Sequence, residues 1–208
     1  MKLEYHFDFA SPNCYHSHKV IPAIEARTGA RFDYFPILLG GVFKLTNNRS
    51  PMEQFAGVRN KSEYQARETA RFLRKHGIAE FRMNPHFPVN TLHLMRGAVF
   101  ARERDYFERY VEAVFACMWE REMNMADPAV IAEGLRDAGL PADEIIAGSQ
   151  DPAVKQRLID NTSSSVECGC FGAPTFFVND EMFFGKDRLR DVEEEIIATA
   201  QGGKPEPG

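Results

Sequence analysis

The residues of this chain with the clearest chemical potential are Ser11, Pro12, Asn13 and Cys14, the "SPNC" that follows an alternating apolar run. One sulfur in place of the serine oxygen would make this a Cys-x-x-Cys redox motif. The first turn of a helix presents unpaired N–H groups and partial positive charge, which stabilise an anion. Because a thiol reacts only as its thiolate, a serine here can hold a thiolate that belongs to another molecule.

Ser11 itself is a poor nucleophile, because an alcohol needs an adjacent base and the sequence places none beside it. It also cannot form a disulfide with Cys14. The simpler alternative is that Ser11 only caps a helix whose first residue is Pro12, which is a common arrangement. A second segment favours the chemical interpretation: "GCFGAPTFFV" places a Gly-Ala-Pro-Thr sequence directly before an apolar run.

The remaining cysteines and histidines do not predict a metal site. His16 and His18 are two residues apart, so they do not share one helix face. Cys168 and Cys170 form a Cys-x-Cys pair without matched histidines, which is a weak pattern for metal binding or redox chemistry. Cys14 is predicted to be a buried helix residue, because a free cysteine behaves as a small hydrophobic side chain.

The "SPNC" segment must be positioned by the elements around it. "LEYHFDF" alternates apolar and polar residues, which predicts a strand. A helix is predicted from Pro12 to a stop at Gly29. "RFDYFPILLGG" predicts a second strand that ends at Gly40 and Gly41. This β-α-β order implies a parallel pair of strands.

The centre of the chain, from about residue 51 to 165, is predicted to be helical. Two short strands, "APTFFVND" and "EMFFG", follow it and are joined by a tight turn at Asn179-Asp180. The segment "KDRLRDVEEEIIATAQ" predicts a last amphipathic helix. The whole order predicts an α/β fold, in which one sheet is covered by helices and carries a large helical insertion.

We predict three parts of the chain from this order. Residues 1–45 and 170–201 form the sheet-containing domain, and residues 46–169 form the all-helical insertion. The tail 202–208, "GGKPEPG", is predicted to be disordered.

Composition excludes several classes of function. The 208 residues carry a formal net charge of −5, which argues against a nucleic-acid-binding protein. No segment approaches the roughly 20 apolar residues of a membrane span. The start lacks the apolar core of a signal peptide, so we expect a cytoplasmic protein with reduced thiols.

Together, the Ser-Pro-Asn-Cys and Ala-Pro segments and the order of elements resemble the DsbA-like subclass of the thioredoxin fold, in which a cis-proline stands against the redox helix start. Six stretches further resemble the 2-hydroxychromene-2-carboxylate isomerases and their relatives, the kappa-class glutathione transferases. They are spread from residue 7 to 189, which is nearly the whole chain: "FDFASP", "LLGGVFKLTNN", "VRNKSEY", "FPVNTLHLMR", "FGAPTFFV" and "FGKDRL".

This resemblance implies a set of site residues. The family's catalytic serine falls on Ser11. Its glutathione contacts fall on Asn48, Lys61, the main chain at Ala173 before Pro174, and Asp187 with Arg188. The charges suit glutathione, because lysine and arginine pair with its two carboxylates and an aspartate pairs with its ammonium.

The resemblance also implies the reaction, a glutathione-dependent cis–trans isomerisation of a conjugated aromatic keto acid. The glutathione thiolate adds reversibly, the double bond becomes single and rotates, and the thiolate leaves. The expected partners are glutathione, a small-molecule substrate and a second copy of the chain in a homodimer.

Three alternatives remain open at this stage. A kappa-like glutathione transferase would consume glutathione. A disulfide oxidoreductase would rely on Cys14 and the Cys168/Cys170 pair, and Asn13-Cys14 indeed replaces the family's usual aromatic and small residues. A binding module would capture glutathione or an extended peptide without turnover.

Overall fold

The structure, a computed structural model, describes residues 1–202, so residues 203–208 of the predicted tail lie outside the described residues. A four-stranded mixed sheet has the order β2-β1-β3-β4. β1 pairs with β2 in parallel and with β3 in antiparallel, and β3 pairs with β4 in antiparallel. The strands are β1 (Leu3–Phe7), β2 (Asp33–Pro36), β3 (Thr175–Val178) and β4 (Glu181–Phe184).

Ten α-helices lie in the described residues. Between β2 and β3 the chain forms α2 and then seven further helices. This is the helical insertion that the sequence predicts, although its division from the rest at residues 46 and 169 stays a prediction. A 3₁₀ turn, Lys186–Arg188, precedes the last helix. Within residues 1–202, the helices are all too short or too polar to cross a membrane. The helices are α1 (Pro12–Thr28), α2 (Leu39–Thr46), α3 (Pro51–Gln54), α4 (Lys61–His76), α5 (Leu92–Ala101), α6 (Phe107–Trp119), α7 (Pro128–Asp137), α8 (Ala142–Gly148), α9 (Pro152–Glu167) and α10 (Leu189–Ala200).

Helix α1 begins and ends where its local sequence predicts. Ser11 has extended backbone angles and its Oγ accepts a hydrogen bond from the Cys14 N–H, while Pro12 occupies the first helical position. Gly29 ends the helix with a φ of 73°, a left-handed conformation that glycine adopts without strain. Its N–H donates to the Glu25 carbonyl. Short-range signals therefore determine the helix that carries the site.

The second strand is shorter than predicted, and the prediction that it ends at Gly40 and Gly41 is wrong. β2 ends at Pro36, and both glycines lie inside α2. A side chain on Gly41 would begin only 3.0 Å from the Thr162 methyl group on α9. The glycine therefore allows close packing of α2 on α9 and does not act as a strand terminator.

One aromatic core joins the sheet to the helical insertion. On the sheet, the rings of Tyr5 and Phe176 stack with centroids 5.2 Å apart. At the end of β1, the Phe9 ring packs edge-on against Phe115 of α6 at 4.8 Å. The Trp119 indole N–H of the same helix donates to the Phe9 carbonyl at 2.9 Å. Helix α6 therefore packs directly on the segment that leads into α1.

Candidate functional site

Ser11 lies at the junction of β1 and α1 and contacts the proline-containing segment across the fold. Its Oγ donates to the Ala173 carbonyl at 3.1 Å and accepts from the Cys14 N–H at 3.3 Å. The Ala173–Pro174 peptide bond is cis. The Ser11 residue is only 6% exposed. The structure thus brings together the two segments that the sequence singled out.

The geometry around Ser11 suits an external anion. Among residues 1–202, the main-chain N–H groups of Asn13 and Ala173 have no protein acceptor. The Asn13 N–H is one of the first-turn donors that a helix leaves unpaired. A thiolate here can accept from Asn13, and from Ser11 once the hydroxyl proton turns away from the Ala173 carbonyl. The main chain of Ala173 remains available to pair with an extended peptide, as in strand addition.

The buried carboxylate of Asp8 holds this junction in place. Its Oδ1 accepts from the Ala10 N–H at 2.9 Å and the Thr91 hydroxyl at 2.6 Å, and its Oδ2 accepts from the Leu39 N–H at 2.7 Å. The Asp8 carbonyl accepts from the Ser11 N–H at 3.1 Å. Burial raises the pKa of Asp8. The role of Asp8 was not predicted from the sequence, where its signal is a lone acid inside the apolar run "FDF".

The cysteines are not arranged as an activated redox pair. All four are free thiols, and Cys14 is fully buried. Burial raises the pKa of the Cys14 thiol to about 12, so almost no thiolate exists there at neutral pH. The buried Cys170 thiol donates to the Gly172 carbonyl at 3.0 Å, whereas Cys168 is exposed. Within the part of the chain that the structure describes, no group of three or more His, Cys, Asp or Glu residues could hold a metal ion.

Alkylation should distinguish the exposed thiol from the buried ones by its reactivity. We expect iodoacetamide at pH 8 to modify Cys168 in the native protein and to leave Cys14, Cys117 and Cys170 unmodified, because those three are buried. Peptide mass spectrometry measures the modification, and unfolded protein, in which all four react, is the control. Native labelling of Cys14 at the rate of Cys168 would instead support the disulfide oxidoreductase alternative.

Two of the predicted glutathione contacts lie near the ends of helices. The Asn48 amide nitrogen donates to the Phe171 carbonyl at 2.8 Å, so this side chain reaches the loop that leads to Ala173. Lys61 is the first residue of α4, and its ammonium lies 4.5 Å from the centre of the Phe55 ring. The structure thus connects Asn48 to the site loop, and no contact joins Lys61 to Ser11 directly in the described residues.

The other two predicted contacts, Asp187 and Arg188, lie shortly after Gly185 in the sequence. The Gly185 N–H donates to the carbonyl of the cis-proline Pro174 at 2.9 Å. Asp187 lies two residues later and its side chain is 78% exposed. The Arg188 side chain is 63% exposed and pairs with Asp191 at 3.1 Å. The segment is therefore beside the proline, but Arg188 is engaged with its own helix.

Comparison with known proteins places this architecture in a family. The family model of the DSBA-like thioredoxin domain matches residues 2–197. The chain belongs to this family. A solved structure of 2-hydroxychromene-2-carboxylate isomerase has the same fold, with a TM-score of 0.83 at 22% identity and coverage of 97% of each chain. The predicted thioredoxin-like α/β fold with a helical insertion is confirmed.

Relatives of this DSBA-like protein support the more specific resemblance. The 2-hydroxychromene-2-carboxylate isomerase of Sphingobium xenophagum is 26% identical over 195 residues, which cover 94% of this chain and 97% of the relative. Glutathione S-transferase kappa 1 of Caenorhabditis elegans is 25% identical and covers 93% of this chain and 89% of its own length. The family resemblance inferred from the sequence is confirmed, and these relatives are enzymes by name.

Two further polar residues of this DSBA-like protein, Lys186 and His16, lie buried around the Phe72 ring. The Lys186 ammonium is 2.5 Å from Asp187 Oδ1 and 4.6 Å from the centre of the Phe72 ring, and the residue is 6% exposed. His16 is 1% exposed, and its ring lies 4.6 Å from that of Phe81 and 5.8 Å from that of Phe72. Neither ring nitrogen has a hydrogen-bond partner in the part of the chain that the structure describes. Sequence analysis missed Lys186, because nothing local distinguishes it from a surface lysine.

The buried His16 predicts a loss of stability in acid. Burial, with a smaller effect of Lys186, lowers the pKa of His16 to about 3, whereas the unfolded chain titrates near 6.5. Between these values the unfolded state binds the extra proton, so stability falls as pH falls. We expect His16→Phe to reduce the loss between pH 6.5 and 5 by about 2 kcal/mol. Urea unfolding of both proteins at the two pH values measures this, and an unchanged pH slope would contradict the assignment.

Proposed function

We propose that this protein is a glutathione-dependent cis–trans isomerase of conjugated aromatic keto acids, of the 2-hydroxychromene-2-carboxylate isomerase type. The observation that carries the proposal is the Ser11 hydroxyl at the start of α1, 3.1 Å from the Ala173 carbonyl beside Pro174. A serine in this position offers an anion site without a protein thiol. The coverage of nearly the whole isomerase relative supports the same class of reaction.

Each part of the site has a role in this proposal. The Ser11 hydroxyl and the Asn13 N–H hold a thiolate, and the partial positive charge of α1 lowers the free energy of that anion. The unpaired N–H of Ala173 orients the attached peptide. When bound, glutathione supplies a thiolate that adds reversibly to a conjugated double bond and so permits its rotation. The remaining contacts carried over from the family are Asn48, Lys61, Asp187 and Arg188.

The state of Cys14 favours an external thiol over a protein disulfide. A redox protein of this fold needs a reactive thiol at the helix start, and Ser11 supplies none. Cys14, where a Cys-x-x-Cys motif has its second cysteine, has a thiol whose pKa is raised to about 12 by burial. With neither a nucleophilic sulfur nor a resolving one, the oxidoreductase alternative lacks its reactants at this helix.

A kappa-like glutathione transferase is the second candidate, and one specific observation favours it. The kappa 1 transferase relative is nearly as similar to this chain as the isomerase relative is, at 25% against 26% identity. Both reactions need the same held thiolate, so they differ only in whether glutathione leaves the product. A binding module without turnover, a homodimer and a cytoplasmic location stay predictions.

Calorimetric titration with glutathione tests the proposal. We expect wild-type protein to bind glutathione about 10-fold more tightly than S-methylglutathione, because a thioether cannot ionise and so loses a charge-assisted hydrogen bond. The two ligands share both carboxylates and the ammonium, so the comparison isolates the sulfur. Absence of glutathione binding would contradict the proposed function, and equal affinities would contradict the role of Ser11 and Asn13.

A further inference from the structure

The burial of Lys186 is unusual for a lysine. Lysine is almost never fully buried unless it is paired, and its ammonium has three N–H donors. Asp187 accepts one of them at 2.5 Å, and the Phe72 ring lies beside the ammonium at 4.6 Å. No other acceptor of Lys186 is found among residues 1–202. The ammonium therefore keeps two N–H donors for a ligand.

Lys186 lines a cleft of about 370 Å³ between α1, α4 and α10. This volume is within the range of small-molecule pockets, about 300–1,000 Å³. Val20 and Ile24 of α1 line the cleft, and His16 lies one turn before Val20 on the same helix face. His16 therefore lies behind the Phe72 ring that lines the cleft, 5.8 Å from it between ring centres, and nearer to Ser11 along α1 than Val20 is.

Most of the other charged side chains along the cleft are already paired at its exposed side, and the exception is the exposed Lys75. Arg27 forms a two-pronged ion pair with Glu193, at 2.5 and 2.8 Å. Arg71 pairs with Glu68, and the Arg190 Nε lies 2.8 Å from Glu194. Water hydrates the exposed Lys75 ammonium, whereas Lys186 and the His16 ring are buried and keep unused hydrogen-bonding capacity among residues 1–202.

We propose that Lys186 and His16 form a carboxylate-binding subsite beside the thiolate position. The inference rests on the proposed function, which brings two sources of carboxylate: the γ-glutamyl end of glutathione and the keto acid. The ammonium pairs with the carboxylate, and the neutral imidazole donates one N–H to it. The hydrogen bond from Gly185 to the Pro174 carbonyl, 2.9 Å long, connects this subsite to the cis-proline segment.

This subsite supplies a cation that Arg188 does not. Arg188 has the expected charge, but it is 63% exposed and paired with Asp191. A buried cation discriminates a carboxylate from a neutral group far better than an exposed one, because water screens it less. Lys186 is therefore a specificity-determining residue of the same site.

Paired ligands test the subsite with the full chain. The first pair is glutathione and its analogue with 4-aminobutanoyl in place of γ-glutamyl, which lacks only that carboxylate. The second pair is benzylidene pyruvate and its methyl ester. We expect wild type to prefer the carboxylate form of one pair by about 10- to 100-fold. Lys186→Met should reduce that preference to about one, and the pair affected identifies the source of the carboxylate.

Two variants control for charge and for folding. Lys75→Met removes an exposed lysine of the same cleft and should keep the preference. His16→Phe retains an aromatic ring among Phe72 and Phe81 and should lower the preference about 5-fold, the loss of one hydrogen bond. Thermal melts followed by circular dichroism establish that each variant is folded.

The outcomes distinguish the two proposals. If Lys186→Met binds glutathione and keeps both carboxylate preferences, or weakens the carboxylate and neutral ligands equally, the subsite is wrong while the proposed function stands. If the wild type binds no glutathione, the proposed function is contradicted and the subsite with it. Loss of one preference in Lys186→Met but not in Lys75→Met supports the assignment.

Discussion

Ser11→Ala should lower glutathione-dependent isomerisation, measured as kcat/KM, by about 100- to 1,000-fold, the effect of removing one donor to an anion at the reacting centre. The hydroxyl is a side-chain donor at the start of α1, 3.1 Å from the Ala173 carbonyl. The variant should also show a smaller preference for glutathione over S-methylglutathione, because only the Asn13 N–H and the helix charge remain at the thiolate. Titration and steady-state kinetics on one preparation measure both effects.

Ser50→Ala is a matched control for this variant. Ser50 also caps a helix that begins with proline, and its Oγ also accepts from a main-chain N–H at 3.3 Å. Both substitutions should cost about 1 kcal/mol of stability through the lost cap. Only Ser11→Ala should lose activity. Equal activity of the two variants would show that Ser11 is no more than a helix cap.

Asp8→Ala should lower the free energy of unfolding by about 3–5 kcal/mol, because it leaves several buried donors without an acceptor. The donors are the N–H groups of Ala10 and Leu39 and the hydroxyl of Thr91. Their hydrogen bonds to Asp8 connect the β1–α1 junction to the starts of α2 and α5. We therefore expect glutathione affinity to fall in a variant that still folds. Urea unfolding at pH 7 measures the stability.

Thr91→Val is the partner in a double-mutant cycle with Asp8. It removes one donor and keeps the side-chain shape, so alone it should cost about 1 kcal/mol. In the Asp8→Ala background this cost should shrink, because the hydroxyl has already lost its acceptor. Additive losses, or an Asp8→Ala cost below about 1 kcal/mol, would contradict the structural role of the carboxylate.

The sequence predicts best where the signals are local. Helix α1 is specified by Ser11, Pro12 and Gly29 within its own length, and the structure confirms it. The end of β2 was not predictable in this way. The Leu39 N–H that opens α2 bonds to the Asp8 carboxylate, and Gly41 is required by contact with Thr162, 121 residues later. Tertiary contacts thus override the local meaning of two consecutive glycines.

The candidate site also has features that the local sequence predicts and features that depend on tertiary contacts. The meeting of Ser11 and Ala173 was predicted from the resemblance of the chain to a known family, since no periodicity relates residues 162 positions apart. The burial of Lys186 depends on where Phe72 of α4 lies, and no pattern near Lys186 contains that information. The local sequence therefore predicts the helix that carries the anion site, but it does not predict the ligand specificity of that site.

Measuring product and free thiol in one reaction distinguishes a glutathione-dependent isomerase from a transferase. One geometric isomer of benzylidene pyruvate is incubated with wild-type protein and with about one-tenth as many moles of glutathione as of substrate. The other isomer and the free thiol are measured together. We expect many turnovers per glutathione with constant free thiol, because the held thiolate is released after each rotation. Loss of one thiol for each product formed would contradict the isomerase and favour the transferase.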